Sequence, residues 1–160
     1  MIGNDVVDIS LSRKESNWQR RGFMDKLFTI QEQQLIANHP DPEIMVWTLW
    51  SMKEAAYKIF NRQTGVRGFI PKQLVCTINN DNINTVTIYG NLYYSKTIIE
   101  DNCIYTVTTI EESKLDGIYE LHDAVIIKDM NGLPYVIKQN SLQPISVSHH
   151  GNYYKVAAIK

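Results

Sequence analysis

Thiols are scarce in this chain: Cys76 and Cys103 are the only two in 160 residues, with no Cys-x-x-Cys pair and no histidines at zinc spacing. That excludes a disulfide framework and a structural zinc, and leaves two reduced, packed thiols as the expectation. Long apolar runs are missing as well, none approaching the roughly 20 residues of a membrane span. The start, Met1-Ile2-Gly3-Asn4-Asp5, lacks a basic stretch followed by an apolar one, so a cytoplasmic protein without a membrane partner is expected. Charge of one sign is not in excess. The formal net charge of −1 gives no general pull toward nucleic acid, so an electrostatic partner must be met by a local patch. The loop Thr64-Gly65-Val66-Arg67-Gly68-Phe69-Ile70-Pro71 lacks the Gly-x-x-x-x-Gly-Lys of a nucleotide-binding P-loop. No repeat, low-complexity tract or interdomain linker occurs, and at this length, with 44% apolar residues, one domain over 1–160 is expected.

What is present is a helix with charge where a purely structural helix does not need it. Met45, Leu49, Met52, Ala56 and Ile59 recur at steps of four, three, four and three, which lines one helix face with apolar groups. Asp41 before Pro42 supplies an N-cap and a first-turn proline, so the helix is predicted from Pro42 to about Phe60. Ser51, Glu54 and Lys58 fall on the opposite face. By itself that face fits a solvated surface, with Glu54 and Lys58 forming a pair worth roughly 0.3–0.5 kcal/mol.

Ahead of this helix, Ile2 to Ile9 reads as a short strand that carries Asp5, a carboxylate in an apolar setting, and Gly3, where a backbone or ligand can approach closely. Either Asp5 is wet at the strand end, or it has a cation, a metal or a hydrogen-bond partner. From Ser10 to Ile30, Arg13, Lys14, Arg20, Arg21 and Lys26 against Glu15 and Asp25 give +3, leaving −4 elsewhere. Such a run is either a solvated face or a dock for an acidic partner. Thr29-Ile30-Gln31-Glu32 is a capping box that starts another helix, ending before His39-Pro40. Beyond the central helix, short runs rich in Val, Ile, Thr and Tyr alternate with Asn/Asp/Gly turns, predicting an antiparallel, largely meandering sheet. The fold class is therefore α+β, a central helix packed on an antiparallel β-sheet. The end, Pro144 to Lys160, reads strand, turn, strand, with Ser148-His149-His150-Gly151 at its tip. Adjacent histidines in a strand face opposite ways, which disfavours a two-histidine metal site.

Gly3-Asn4-Asp5, then Trp50-Ser51-Met52-Lys53-Glu54-Ala55-Ala56-Tyr57-Lys58, then Ser146-Val147-Ser148-His149, in that order, resemble the 4′-phosphopantetheinyl transferase superfamily. The order is similar to the short holo-acyl-carrier-protein synthase type. Leu27 to Glu32 and Gly132-Leu133-Pro134, standing where the short type has Gly-Arg-Pro, add to the likeness. It covers residues 1–72 and 131–160, with about 79–130 read as a β-rich insertion on a single lobe.

The resemblance implies transfer of 4′-phosphopantetheine from coenzyme A to a serine of an apo acyl or peptidyl carrier protein. Asp5 and Glu54 would hold Mg²⁺, a hard cation suited to carboxylates, water and phosphate oxygens. Glu54, or a metal-bound water that it orients, is the implied base, and Lys58 meets a phosphate of coenzyme A. Lys53 and His149 are implied at the pyrophosphate or 3′-phosphate, with Ser148 and Arg67 as further coenzyme A contacts. Arg13, Arg20 and Arg21 would receive the carrier. Val7 stands where the longer type has a third acidic residue, so two protein carboxylates are expected on the metal. The single lobe implies a homo-oligomer, a trimer favoured, in which His149 or Arg67 of one chain faces Asp5 and Glu54 of another. The alternative is a superfamily member that binds coenzyme A or a carrier without turnover.

Overall fold

The computed structural model describes all residues from Met1 to Lys160. Its central element is a helix, Pro42–Thr64 (α4), whose first turn is held by the Asp41 carboxylate accepting from the Ile44 N–H at 3.2 Å. Met45, Leu49, Met52, Ala56 and Ile59 are all buried, as the periodicity predicts. So are Val46, Trp47, Ser51, Lys53, Ala55 and Phe60, so the helix is enclosed on most sides rather than laid on a surface. It runs one turn beyond the expected end, to Gly65 in the left-handed conformation. The extra turn carries Arg62, which donates to the carbonyls of Pro134 and Ile145.

The helix packs on a five-stranded antiparallel sheet in the order β1-β5-β4-β3-β2, where β1 is Ile2–Asp8, β2 Val75–Thr77, β3 Asn84–Ile88, β4 Asn91–Glu100 and β5 Cys103–Thr109. Strands β2 to β5 form the predicted meander, and β1 closes on the last of them, with Asp5 opposite Thr106. The expectation of an insertion over 79–130 is corrected here. Residues 84–109 form the middle of the main sheet and contribute Val86, Tyr93 and Ile104 to the core around α4, because their alternating apolar residues face that helix. Ala124–Ile126 is irregular, although its apolar, β-branched run with Ile127 predicts a strand, and only Ile127–Lys128 (β7) pairs.

Gly3 explains how closely strand and helix meet. A Cβ there would lie 2.0 Å from the Ala55 carbonyl oxygen of α4, so only glycine lets the two backbones touch at this point. Three helices, Ile9–Glu15 (α1), Phe23–Leu27 (α2) and Ile30–Asn38 (α3), cover the other side of α4. The predicted capping box at Thr29 and Glu32 is present. A smaller core of Val136, Ile145, Val156 and Ala158 lies under the C-terminal strands: Ile118–Glu120 (β6), Pro134–Lys138 (β8), Ser141–Pro144 (β9), Ser146–His150 (β10) and Tyr153–Ile159 (β11). These form two three-stranded sheets, β10-β11-β6 and β7-β8-β9. No helix is long and apolar enough to cross a membrane.

Candidate active site

One edge of β1 is bonded to β5, which leaves the N–H groups of Asn4, Val6 and Asp8 pointing away from it. No backbone partner takes them. The Ser146 hydroxyl accepts from Asn4 N–H at 2.9 Å, the Ser148 hydroxyl from Val6 N–H at 3.1 Å, and His150 Nδ1 from Asp8 N–H at 2.9 Å. Three alternate side chains of β10 thus stitch the free edge of β1 at the period-2 spacing that a strand imposes. The two intervening side chains, Val147 and His149, face the other way.

This stitching fixes the roles of several residues. Ser148 also donates to Asp5 Oδ1 at 3.0 Å and is 6% exposed, so it supports the carboxylate and has no free hydroxyl for coenzyme A. Its expected role as a coenzyme A contact is corrected accordingly. Lys53 is corrected too. Its side chain is fully buried, 2.8 Å from Glu32 Oε2, and its ammonium donates to the carbonyls of Pro71 and Leu74 at 2.8 and 2.6 Å. All three protons are spent on the protein, leaving none for a phosphate. Glu32 in turn accepts from Thr29 and Cys76 N–H, tying α3 and β2 to α4.

Asp5 and Glu54 line one cavity of about 270 Å³ with Val6, Val7, Ser12, Glu15, Trp47, Trp50, His149 and His150. Burial raises the pKa of Asp5, opposed by Lys58, then by the Ser148 and Ser51 hydroxyls and the Val6 N–H. Glu54 is pushed up to about 7, by burial first and by the charge of Asp5 second, with Lys58 opposing. Glu54 therefore feels the charge of Asp5. His149 is exposed and reaches this cavity from its own chain.

Lys58, one turn along from Glu54, lies 3.9 Å from Asp5 Oδ1 and donates to the carbonyls of Asn4 at 2.6 Å and Val147 at 3.1 Å. It bridges β1 and β10, with burial lowering its pKa and the two carboxylates opposing. One ammonium proton remains uncommitted. On its other side Lys58 lines a second cavity, about 180 Å³, with Tyr57, Arg62, Leu133 and Pro134. Arg67 donates to the Asn131 carbonyl at 3.2 Å and lines neither cavity of its own chain.

Of the basic segment, Arg13 is held by Glu43, with Nη2 to Oε1 at 2.6 Å. Arg20 and Arg21 are free of ion pairs and line a groove with Phe23, Lys26 and Trp50. Trp50 borders both this groove and the carboxylate cavity, so the two are adjacent. Trp50 and Arg62 were not singled out by the sequence. Trp50 stands four residues before Glu54 and Arg62 four after Lys58, spacings that place them on the same helix face as those groups.

The α4 helix, wedged between an antiparallel sheet and three short helices, thus presents two acids and a lysine beside a basic groove. A family model described as the 4′-phosphopantetheinyl transferase superfamily matches residues 1–107, and the chain belongs to that superfamily. Among solved structures it is similar to an apo-ACPS from Chronobacterium ammoiniagenes, with a TM-score of 0.54 at 11% identity over 68% of this chain and 93% of that one. It is also similar to the Helicobacter pylori holo-[acyl-carrier-protein] synthase solved in complex with coenzyme A, TM-score 0.53 at 17% identity over 68% of this chain and 98% of that one. No curated protein matches. The α+β fold expected from the sequence is the fold of these structures.

Proposed function

We propose that this protein transfers the 4′-phosphopantetheine arm of coenzyme A to a serine hydroxyl of an apo acyl or peptidyl carrier protein. The observation that carries the reading is the shared cavity of Asp5 and Glu54, in which both carboxyl pKa values are raised and each acid is set against Lys58. A pair of buried oxygen-donor acids of this kind fits Mg²⁺ with two protein ligands, the remaining positions going to water and phosphate oxygens. The ion would neutralise the charge that develops on the pyrophosphate.

The chain's own residues supply positioning and proton transfer. Lys58 holds an anionic oxygen with its uncommitted proton, and with Arg62 and Tyr57 it offers a cationic, partly aromatic ledge suited to the nucleotide end of coenzyme A. His149, exposed at the cavity mouth, reaches the pyrophosphate. Glu54 takes the proton of the carrier serine as its oxygen bonds to the β-phosphorus. The bond to the departing adenosine 3′,5′-bisphosphate breaks, and its electron pair leaves on the phosphate oxygen. The groove of Arg20, Arg21 and Lys26 receives the acidic carrier next to Trp50, within reach of the acids.

The reading includes cytoplasmic action and a homo-oligomer, a trimer favoured, measurable by sedimentation alongside activity. The deciding experiment incubates purified protein with coenzyme A, Mg²⁺ and an apo carrier, and follows the carrier mass. Addition of one arm, dependent on metal, supports transfer. Saturable coenzyme A binding without any mass change would instead identify a member of the superfamily that binds without turnover.

A further inference from the structure

The C-terminal third of the chain carries a cavity that the transfer reaction does not use. It lies beyond residues 1–107 and borders none of Asp5, Glu54 or Lys58. It opens between β6 and the β7-β8-β9 sheet and encloses about 670 Å³, within the roughly 300–1,000 Å³ typical of small-molecule sites. Its walls are aliphatic, from Leu121, Ala124, Val125, Ile127 and Val136. Val125 is 81% exposed and neighbouring Ile137 63%, so large apolar side chains face water here, where an isolated surface has no use for them.

The rim is cationic. Lys138 Nζ donates to the Tyr119 hydroxyl at 3.1 Å, and Lys160 lines the same end. Lys138 Nζ also lies 5.4 Å from the centroid of the Tyr119 ring, and its hydrogen bond is the first cause that lowers the Tyr119 pKa. No carboxylate side chain lines the cavity. An apolar trough with two lysines and no carboxylate side chain at its rim matches an alkyl chain that ends in an anion, and mismatches an alkyl cation.

We propose that this cavity binds a fatty acid, its chain against Leu121, Val125, Ile127 and Val136 and its carboxylate between Lys138 and Lys160. The two lysines set the sign of the ligand, and the half-open apolar walls admit a linear chain without a buried polar group being stranded.

The test uses the full chain and decanoate as probe, below its micellar concentration, with decyltrimethylammonium as the matched cation. Calorimetry and backbone amide shifts are the readouts. Expected are saturable 1:1 decanoate binding, shifts clustered over residues 118–143, and cation binding at least ten-fold weaker. Lys138→Glu with Lys160→Glu, both at exposed positions, should weaken decanoate at least ten-fold while leaving the melting temperature within a few degrees. Ala124→Trp, filling the trough, should abolish decanoate binding. The proposal is overturned by absence of saturable binding, by equal affinity for the cation, by shifts centred on Asp5 and Glu54, or by unchanged affinity in the lysine variant. Self-association or carrier capture that buries this face in place of decanoate would overturn it as well. No transfer is measured in any arm, so failure here and failure of the transferase reading are separately visible.

Discussion

The Ser148 hydroxyl donates to Asp5 at 3.0 Å and, with the same oxygen, accepts the N–H of Val6 at 3.1 Å. One side chain of the last hairpin therefore orients a site carboxylate and satisfies the backbone of the strand that carries it. Ser148→Ala leaves a buried N–H unpaired and should lower stability by about 1–3 kcal/mol in denaturant titrations. It should also raise the Asp5 pKa further, since a bond that favours the charged form is gone. An Asp5 carboxyl titrating at or below its position in the unmodified protein would contradict this geometry.

Glu54 carries a sign that can be checked without substrate. Its folded pKa, about 7, lies above the ordinary glutamate value, so the folded state binds this proton more tightly than the unfolded chain does. Stability associated with Glu54 is then intact at pH 4, declines as pH rises toward 7, and stays reduced above it. Glu54→Gln should stabilise the metal-free protein by roughly 1–3 kcal/mol at pH 8 and by almost nothing near pH 4. Thermal melts across that range suffice. A constant difference at all pH values would mean that Glu54 is not held near neutrality.

The same titration bears on the metal. Mg²⁺ competes with a proton for Glu54, so apparent affinity should fall up to about ten-fold per pH unit below 7 and flatten above it. Asp5→Asn and Glu54→Gln should each reduce transfer at least 100-fold with the fold retained. Tight Mg²⁺ binding by the double variant, measured calorimetrically, would refute the assignment.

Lys53→Ala is expected to destabilise the protein by about 3–5 kcal/mol, because Glu32 would remain charged and buried without its cation. Lys53→Met combined with Glu32→Gln should recover a large part of that loss. If Lys53 instead served coenzyme A, the single variant would lose coenzyme A affinity at unchanged stability.

Reversal of Arg20 and Arg21 to Glu should raise the KM for an acidic carrier and flatten its salt dependence, with coenzyme A affinity unchanged. Arg13→Glu should matter less, since its guanidinium is already engaged by Glu43. Equal effects from all three would relocate the docking surface.

The fold was legible wherever local periodicity had one reading. The five-position apolar stripe of α4, its Asp41 cap and the Thr29–Glu32 box are local patterns, and each occurs where the sequence puts it. What escaped was decided by distant partners. Lys53 and Lys58 sit five residues apart in one helix with the same chemistry. One is consumed by a glutamate 21 residues upstream and the other lies beside Asp5; helical spacing turns them to different faces but does not name the partner that each one meets. Ser148 and His149 are adjacent, yet strand alternation sends the first into β1 and the second into the cavity. The three strands over 84–109 were predicted as strands of a meander within a β-rich insertion, and that β1 pairs with the last of them was not legible, because a strand's own pattern does not name its neighbours.

The stitching of β1 by Ser146, Ser148 and His150 also dictates when the site comes into being. Each bond joins residues 142 positions apart, and Asp5 and Ser148 are separated by 143. During synthesis the strand bearing Asp5 emerges first and its edge stays open until residue 150 has left the ribosome. A nascent chain lacking that hairpin can assemble α4 against the sheet, yet its acidic site is unfinished and its β1 edge is available to other strands. The acidic site is thus completed only when the hairpin is in place, and until then the free edge of β1 lacks the side chains that cover it.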